Sequence, residues 1–311
     1  MSPAANTASG LASNMALEGV LLLGAAGQLG CELQQALPAL GPLTALTHQD
    51  IDLADAAALR ERVRHHQPRW IVNAAAYTAV DKAEQEQPKA RAINTEAPGV
   101  LAEEAARLGA GLVHYSSDYV FNGRSSTPYL ETDATDPLSV YGLTKRDGEL
   151  AVQTSGARHL LFRSSWVVGA QGQNFLKTML RLAQERDSMR VVADQQGVPT
   201  AAAWMADMTV LAMKRSDAQG LSGLFHLTPR GQTTWHAYAQ FVLEQAQKLG
   251  WTLKTQPDQV QAIATADYPL PAARPANSLL NHGLLCSTLG VIAPPWQDGV
   301  TEVLKALKQA V

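Results

Sequence analysis

The feature that most constrains how this chain can fold is a glycine-rich turn between an apolar run and an amphipathic stretch. The apolar run covers residues 20–23, and the turn after it is Gly24-Ala25-Ala26-Gly27-Gln28-Leu29-Gly30. Four consecutive apolar residues bounded by glycine are typical of a buried strand, and the residues after the turn are typical of a helix. This order predicts the first strand and helix of a parallel sheet.

Short apolar runs and amphipathic stretches continue to alternate over the first half of the chain. The further runs lie at residues 43–46, 70–72, 112–115 and 160–162, and the stretches lie at residues 54–66 and 97–108. The stretches have apolar side chains at three-and-four spacing, as amphipathic helices do. We therefore predict an α/β fold with a doubly wound parallel sheet of the Rossmann type.

Composition narrows the partners open to this chain. Only 17% of its 311 residues are charged and the net charge is −3, so it lacks the basic field that would hold a nucleic acid. The apolar runs are too short to span a bilayer, and Cys31 and Cys286 fit neither a disulfide framework nor a zinc site. We expect a cytoplasmic protein that binds neither nucleic acid nor membrane and has two inert thiols in its core.

The spacing of the three glycines indicates a dinucleotide site. A missing Cβ atom permits the tight turn at Gly24, the approach of backbone N–H groups to a pyrophosphate at Gly27, and close packing of helix on strand at Gly30. Gln28 and Leu29 lie between the last two glycines and belong to the same candidate site. The alternative is a glycine-rich turn that binds no ligand.

The residues after the second predicted strand do not decide which dinucleotide is bound. An acidic residue there would bind the ribose 2′-hydroxyl of NAD, and a basic one would pair with the 2′-phosphate of NADP. This strand ends in Leu46-Thr47-His48, which offers neither, so NADPH and NADH both stay open. Asp52, which precedes Leu53, either accepts a hydrogen bond from the adenine amino group or caps the next helix.

Tyr141 and Lys145 are four residues apart, which places both side chains on one face of a helix. A phenol with a pKa of about 10 is a poor acid–base catalyst at neutral pH. A nearby ammonium group and a cationic nicotinamide would favour its phenolate form, and Lys145 would also reach the ribose hydroxyls of the nicotinamide. The alternative is an ordinary surface pair.

Two serines, Ser116 and Ser117, stand at the carboxyl end of the fourth predicted strand, where open α/β sheets bind ligands. A hydroxyl there can hydrogen-bond a substrate carbonyl, although paired serines after a strand are also common in caps and turns. The order of glycine turn, strand-end serine and Tyr-x-x-x-Lys predicts a site for hydride transfer between a nicotinamide and a carbonyl or alcohol. Its catalytic residues are Ser117, Tyr141 and Lys145.

These motifs resemble the extended short-chain dehydrogenases and, within them, the dTDP-4-dehydrorhamnose reductase family. The resemblance runs from about residue 20 to about residue 307. The glycine turn and Tyr-x-x-x-Lys mark the superfamily, whereas strings in the second half resemble the reductases. The matching strings include Asn73-Ala74-Ala75-Ala76-Tyr77-Thr78-Ala79-Val80-Asp81, Ser117-Asp118-Tyr119-Val120-Phe121-Asn122-Gly123, Arg163-Ser164-Ser165-Trp166-Val167, Asp194-Gln195-Gln196-Gly197-Val198-Pro199-Thr200 and Arg274-Pro275-Ala276-Asn277-Ser278-Leu279-Leu280.

The resemblance implies reduction of the C4 ketone of dTDP-4-dehydro-L-rhamnose to dTDP-L-rhamnose, with NADPH or NADH as the hydride donor. It implies that Tyr141 gives a proton to the developing alkoxide, that Ser117 hydrogen-bonds the same oxygen, and that Lys145 tunes Tyr141 and holds the ribose. The family often has threonine where this chain has Ser117, and the hydroxyl is preserved.

The resemblance also implies which residues line the two ligands. Those implied to line the dinucleotide after the third strand are Ala74, Ala75 and Tyr77. Those implied to contact the sugar nucleotide are Ser117, Asp118, Trp166, Asn174 and Arg274. Trp166 would lie against the deoxyhexose, and Asn174 and Arg274 would bind near the diphosphate. The alternatives are a tight turn after the strand, a core tryptophan and a surface arginine.

After about Trp166 the alternation loosens, so we predict a second, smaller mixed α/β domain for the substrate. We expect a flexible tail over residues 1–19 and a dinucleotide-binding domain over residues 20–166, with a returning segment near residues 198–228. The substrate domain is expected over residues 167–197 and 229–311.

Two other functions stay open on the sequence alone. One is another dehydrogenase, epimerase or dehydratase for sugar nucleotides, because Asp118 supplies an acid next to Ser117. The other is a non-catalytic, NADP-binding regulatory subunit, which would have no need of a proton donor. Some members of the family have magnesium at a dimer contact, so a homodimer is left open. We predict no metal site, because the sequence identifies no carboxylates for one.

Overall fold

The structure is a computed structural model that describes residues 17–310. Residues 1–16, most of the predicted flexible tail, lie outside the described residues. The described chain forms a six-stranded sheet with helices on both faces and a second packed unit beside it.

The helices of the described chain are α1 (Gln28–Ala36), α2 (Ala56–His66), α3 (Val80–Ala83), α4 (Gln87–Arg91), α5 (Ala97–Leu108), α6 (Val140–Thr154), α7 (Phe175–Glu185), α8 (Ala202–Gln219), α9 (Trp235–Lys248), α10 (Gly283–Leu289) and α11 (Trp296–Gln309). Its strands are β1 (Val20–Leu23), β2 (Leu43–Leu46), β3 (Trp70–Asn73), β4 (Gly111–Ser117), β5 (Arg158–Ser164), β6 (Val167–Val168), β7 (Met189–Val192), β8 (Gln196–Gly197), β9 (Thr200–Ala201), β10 (Gly223–His226), β11 (Thr233–Thr234) and β12 (Val260–Ile263). A π-helical segment, Ala92–Glu96, joins α4 to α5.

The central sheet has the order β2-β1-β3-β4-β5-β10, and all of its neighbouring strands are parallel. The predicted doubly wound parallel sheet is therefore confirmed, and β10 shows that a segment beyond residue 198 returns to it. The direction of the strand order changes between β1 and β3. In open α/β sheets, ligands bind at the carboxyl edge beside such a point.

The sheet is buried on both faces, which explains why its strands are continuous apolar runs. Successive residues of a strand point to opposite faces. Leu22 and Trp70 thus pack in the core that contains α1 and α8, whereas Leu21 and Ile71 pack in the core that contains α2 and α5.

The second unit has its own core, formed by α7, α9 and α11 with the parallel pair β7 and β12. Large aromatic side chains, including Tyr238 and Trp296, fill much of it. The chain order does not separate the two cores completely, because Leu285 and Leu289 of α10 pack in the core under the central sheet. The division into two domains stays a prediction.

Several smaller expectations differ from the structure. Helix α2 begins at Ala56, two residues after the predicted start, because the Asp55 carboxylate accepts hydrogen bonds from the second and third residues of the helix. Cys31 and Cys286 are half-buried and lie outside the fully buried core, so the expectation of core thiols was wrong. Within residues 17–310, no helix is long and apolar enough to cross a membrane.

Candidate active site

The turn between β1 and α1 is crowded by main chain. Gly24 has a φ of +80°, and a Cβ atom there would lie 2.6 Å from the backbone nitrogen of Ala75. A Cβ atom at Gly30 would lie 2.0 Å from the carbonyl oxygen of Gly24. Neither residue can gain a side chain unless main chain moves. The turn thus brings β1, α1 and the loop after β3 into contact at the carboxyl edge of the sheet.

The start of α1 suits an anionic group. Gly27 is the N-cap, and no side chain in the described chain caps this helix. The first N–H groups of a helix attract anions, and the helix dipole adds to the attraction. Leu29 is buried in the core, so it can offer a ligand only its backbone. The glycine turn and the start of α1 fit the pyrophosphate of a dinucleotide.

Gln28 and Asn174, which were predicted to contact different ligands, contact each other. The Asn174 Nδ2 donates to Gln28 Oε1 and to the Gly169 carbonyl oxygen, each at 2.8 Å. The Gln28 Oε1 also accepts from the Gly169 nitrogen at 3.0 Å. The Asn174 Oδ1 caps α7 by accepting from the Lys177 nitrogen at 3.0 Å. One hydrogen-bonded group thus joins α1 to the second unit.

The loop after β3, which contains Ala74, Ala75 and Tyr77, is fixed by one buried amide. The Tyr77 nitrogen donates to Asn94 Oδ1 at 2.9 Å, and Asn94 Nδ2 donates back to the Tyr77 carbonyl oxygen at 3.0 Å. The Ala74 nitrogen donates to the last carbonyl of β1 at 3.0 Å. The structure therefore brings Ala74, Ala75 and Tyr77 together beside the glycine turn.

Asn94 also connects this loop to α6. Its Nδ2 donates to the Thr144 hydroxyl at 3.3 Å, and the Thr95 hydroxyl donates to the Thr144 carbonyl oxygen at 2.8 Å. A Cβ atom at Gly148 would lie 2.1 Å from the Asn94 carbonyl oxygen. Asn94 lies in the π-helical segment, and such segments are frequent at functional sites.

Asp52 and Leu53 lie beyond the carboxyl end of β2, before α2. The Asp52 side chain is exposed and its Oδ1 accepts from the Ala54 nitrogen at 2.9 Å. Asp55 caps α2, with both of its hydrogen bonds at 3.0 Å, so the alternative role of Asp52 as the cap of this helix is excluded. The contact of Asp52 with adenine stays a prediction.

Helix α6 carries Tyr141 and Lys145 in its first turns and lies close against the end of β4. A Cβ atom at Gly142 would lie 2.2 Å from the Tyr119 carbonyl oxygen, so the glycine permits this approach. Lys145 is 2% exposed, and its Nζ donates to the Tyr115 carbonyl oxygen at 2.5 Å. Tyr141 and Lys145 are thus held over the carboxyl end of β4.

Ser117 is the last residue of β4 and is 6% exposed. Its Oγ donates to Asp118 Oδ1 at 2.9 Å and accepts from the Tyr119 nitrogen at 3.1 Å. Ser117 also lies near enough to Tyr141 for its hydroxyl to lower the pKa of the phenol. Ser117 therefore caps the short turn at residues 118–120 and, at the same time, lies beside the phenol.

Three buried ionisable side chains of the candidate site, Tyr141, Lys145 and Asp118, have shifted pKa values. Burial raises the pKa of Tyr141 to about 12, against the effect of the Ser117 hydroxyl and with that of the Asp118 charge. Burial lowers the pKa of Lys145 to about 8, opposed by the charge of Glu149. Burial raises the pKa of Asp118 to about 6. In the chain alone, burial thus outweighs the expected preference for a phenolate, and Tyr141 is protonated at neutral pH.

Trp166 lies two residues beyond the end of β5, whose last residue Ser164 is paired with Ser117. Its φ is +46°, which is rare for a bulky residue. Its ring stacks on that of Trp235, with centroids 3.6 Å apart and planes 16° apart. The tryptophan is half-buried and packs in the aromatic cluster of the second unit, and its contact with a sugar stays a prediction.

Arg274 reaches from the loop before α10 to α3. Its Nη1 and Nη2 donate to the two carboxylate oxygens of Asp81 at 2.6 and 2.7 Å, and Nη1 also donates to the Ala272 carbonyl oxygen at 2.6 Å. The ion pair lowers the pKa of Asp81. The Nη1–Nη2 fork that was expected to bind a phosphate is thus occupied by Asp81, and a phosphate that takes this fork would displace the carboxylate.

Comparison with known proteins identifies the family. A profile of the RmlD substrate binding domain matches residues 18–309. The dTDP-4-dehydrorhamnose reductase of Shigella flexneri is 46% identical over 293 residues, which cover 93% of this chain and 97% of that protein. The chain belongs to the dTDP-4-dehydrorhamnose reductase family.

Solved structures agree with this family. The dTDP-4-dehydrorhamnose reductase of Bacillus anthracis, solved in complex with NADP, is 32% identical and has a TM-score of 0.85, covering 93% of this chain and 99% of that one. The UDP-glucose 4-epimerase of Thermus thermophilus, solved with NAD, is 18% identical with a TM-score of 0.77, covering 94% and 99%. At that identity the epimerase shows a shared fold alone.

Three groups in this member of the reductase family were not recognised as site residues from the sequence. They are Asn94, Asp81 and the buried pair Glu149 and Arg163. Each is hydrogen-bonded to a residue 14 or more positions away in the sequence, and no local sequence pattern indicates such a partner. Over residues 17–310, no group of three or more His, Cys, Asp or Glu side chains is placed to hold a metal ion.

Proposed function

We propose that this protein reduces the C4 ketone of dTDP-4-dehydro-L-rhamnose to dTDP-L-rhamnose, with NADPH or NADH as the reductant. The observation that carries the proposal is the placement of Tyr141 and Lys145 beside Ser117, at the edge that also holds the glycine turn. The names of the relatives support the sugar nucleotide, and the NADP in the Bacillus anthracis structure supports the dinucleotide.

The dinucleotide would lie along the carboxyl edge of the sheet. The glycine turn and the start of α1 would bind its pyrophosphate, with Ala74, Ala75 and Tyr77 along one side. Asp52 and Leu53 would lie at the adenosine end, and Lys145 would donate to the ribose of the nicotinamide. A reduced nicotinamide supplies the hydride that the reaction needs.

Tyr141 would provide the proton. Its phenol is protonated at neutral pH and stays so well above it, since burial raises its pKa to about 12. An alkoxide that develops at the substrate C4 oxygen is a stronger base than a phenolate, so the proton would move from Tyr141 to this oxygen. Tyr141 therefore holds the proton that a reduction requires, and the alkoxide, as the stronger base, takes it although the raised pKa makes this phenol a weaker acid than a free one.

Ser117 would hold the same C4 oxygen. A hydroxyl has one proton to donate, and that of Ser117 is directed to Asp118 at 2.9 Å. To bind a ketone oxygen, this hydroxyl would rotate from Asp118 towards the substrate, which leaves the Asp118 carboxylate free to accept a sugar hydroxyl. The proposed substrate contacts are completed by Trp166, Asn174 and Arg274. To bind the substrate, Asn174 and Arg274 would exchange hydrogen bonds within the protein for hydrogen bonds to the sugar nucleotide.

One observation favours a second candidate activity. Asp118 is 2% exposed, lies next to Ser117 and has a pKa raised to about 6 by burial, so it suits an acid in a dehydratase or epimerase of sugar nucleotides. Membership of the dTDP-4-dehydrorhamnose reductase family favours the reductase over these two activities. Product analysis separates the two, since reduction consumes the dinucleotide and dehydration regenerates it.

The decisive experiment offers the purified protein dTDP-4-dehydro-L-rhamnose with NADPH and, separately, with NADH. The absorbance of the reduced nicotinamide should fall in proportion to the dTDP-L-rhamnose formed. An absorbance that stays at the rate seen without sugar nucleotide, for both dinucleotides, would overturn the proposal.

A further inference from the structure

One buried ion pair near the site has no part in the proposed reaction. The side chains of Glu149 and Arg163 are 3% and 5% exposed. They are joined by two hydrogen bonds of 2.9 and 2.7 Å. A buried pair adds little net stability, because removing two charges from water opposes their attraction. Stability alone therefore does not account for it.

The pair lies next to the catalytic lysine. Tyr141, Lys145 and Glu149 follow one another at intervals of four residues in α6, so all three lie along one face of the helix. Lys145 and Glu149 are each 2% exposed. The opposite charges of Lys145 and Glu149 are one helical turn apart, and they interact more strongly in the buried interior than they would in water.

Arg163 extends the pair to the other side of the site. It lies in β5 opposite Ser116, one residue before the pairing of Ser164 with Ser117. Its two bonds to Glu149 thus hold α6 against the strand that adjoins Ser117. The attachment thus ties the helix that carries Tyr141 to the strand next to the one that ends in Ser117.

We infer that Glu149 is a positioning residue whose carboxylate, held by Arg163, keeps Lys145 protonated and α6 in place for dinucleotide binding and proton donation. The inference rests on the proposed function, in which Lys145 binds the ribose of the nicotinamide. Burial opposes the charge of Lys145, and Glu149 acts in the other direction.

The other titratable groups around Lys145 do not take over this role. His114 of β4 has a pKa held well below its usual range by burial and by the charge of Lys145, so it is neutral near pH 7. Tyr141 on the same helix is protonated, and Arg163 of β5 faces Glu149. The π-helical segment contributes Asn94 and Thr95, which are uncharged. Within residues 17–310, Glu149 is the acid that stabilises the ammonium group.

The test measures two quantities across pH 6 to 10. The first is the affinity for NADPH, followed by the change in NADPH fluorescence on binding, and the second is kcat/KM. In the natural protein both should fall as pH rises through about 8, as Lys145 loses its proton. In Glu149→Gln the midpoint should move to lower pH by roughly one unit, the usual effect of losing an opposite charge. The double variant Glu149→Gln/Arg163→Met avoids an unpaired buried guanidinium, and its midpoint should also move down. Glu149→Asp should restore much of the natural profile.

Glu104→Gln is the matched control. Glu104 is also 2% exposed, and it is bonded by Arg60, Arg64 and Arg107 away from the site, so its loss should lower stability without moving the midpoint. Unmoved midpoints in both Glu149→Gln and the folded double variant would overturn the inference. The NADPH titration needs no sugar nucleotide, so it is read independently of whether the proposed substrate is turned over.

Discussion

In the proposed reaction, Tyr141 releases a proton in surroundings that strengthen its hold on that proton. Burial raises its pKa to about 12, and the neighbouring Asp118 charge acts in the same direction. Both effects oppose a phenolate, which would serve as the base in the reverse oxidation. Tyr141 therefore keeps its proton until a stronger base, such as the alkoxide of the proposed reaction, forms beside it.

Replacing Tyr141 with phenylalanine removes the proton donor and leaves the ring in place. Turnover should fall by about 100- to 10,000-fold, the usual contribution of a positioned acid, while NADPH affinity stays nearly unchanged. Tyr268→Phe serves as the control, because Tyr268 is 52% exposed and is not among the proposed site residues. Full turnover in Tyr141→Phe would show that another group donates the proton.

The pH dependence of kcat/KM should be set by Lys145, which loses its proton at a lower pH than Tyr141 does. The pKa of Lys145 is lowered to about 8, so its positive charge is present below that pH and is lost as pH rises through it. Tyr141, with a pKa of about 12, stays protonated over the same range. Measurement of kcat/KM for NADPH, which reports groups of the free enzyme, should show a decline centred near pH 8. A decline that begins only above pH 10 would assign the effect to the tyrosine.

Among the elements, α6 is the one whose placement decides the chemistry. Gly142 lies against the Tyr119 carbonyl oxygen and Gly148 against that of Asn94. Glycine lowers helix stability, so these two residues indicate that the close approach of α6 outweighs its intrinsic helix propensity.

Gly142→Ala should displace the start of α6 from Ser117. The added methyl group would lie 2.2 Å from a main-chain oxygen, and main chain cannot move aside as a side-chain end can. A displacement of about 1 Å at a catalytic group lowers turnover by about 100-fold. Kinetics of Leu143→Ala, a change at the adjacent residue that is 39% exposed, provide the control. Equal activity in both variants would contradict the role given to Gly142.

The elements also show how far sequence reasoning reaches. Strands β1 to β5 and helix α5 were predictable because apolar periodicity is local, and β10 because its apolar run is similar to theirs. The two-residue strands of the second unit and the π-helical segment have no such pattern. Their conformation depends on contacts with distant segments.

The candidate site likewise contains some residues that could be identified from the sequence and others that could not. The glycine turn, Ser117, Tyr141 and Lys145 could be selected from spacing, since their chemistry depends on neighbours a few residues away or on the ends of adjacent strands. The hydrogen bonds of Asn94 to Tyr77 and Thr144 could not, because they join three separate segments. Asp81 as the partner of Arg274 is a further example.

Over the whole molecule, the two units meet at Gln28 and Asn174. Asn174→Ala loses both the cap of α7 and the donors to Gln28 and Gly169, and should lower the free energy of unfolding by about 2 kcal/mol. Asn174→Ser keeps an oxygen that can cap the helix, so it should lose only about half as much. Denaturant unfolding monitored by circular dichroism checks both values. Equal losses would show that the cap contributes nothing.

The pairing of Asp81 with Arg274 has a consequence for the order in which the molecule is assembled. These residues are 193 positions apart, whereas the contact of Gly24 with Ala75 closes a loop of about 50 residues. During synthesis, the contact between the glycine turn and the loop after β3 can therefore form on the nascent chain before the ribosome has made the segment with Arg274. A chain that ends before Arg274 lacks this ion pair and also lacks Leu285 and Leu289 in the core under the central sheet, so the sheet is fully packed only once the last segment has been made.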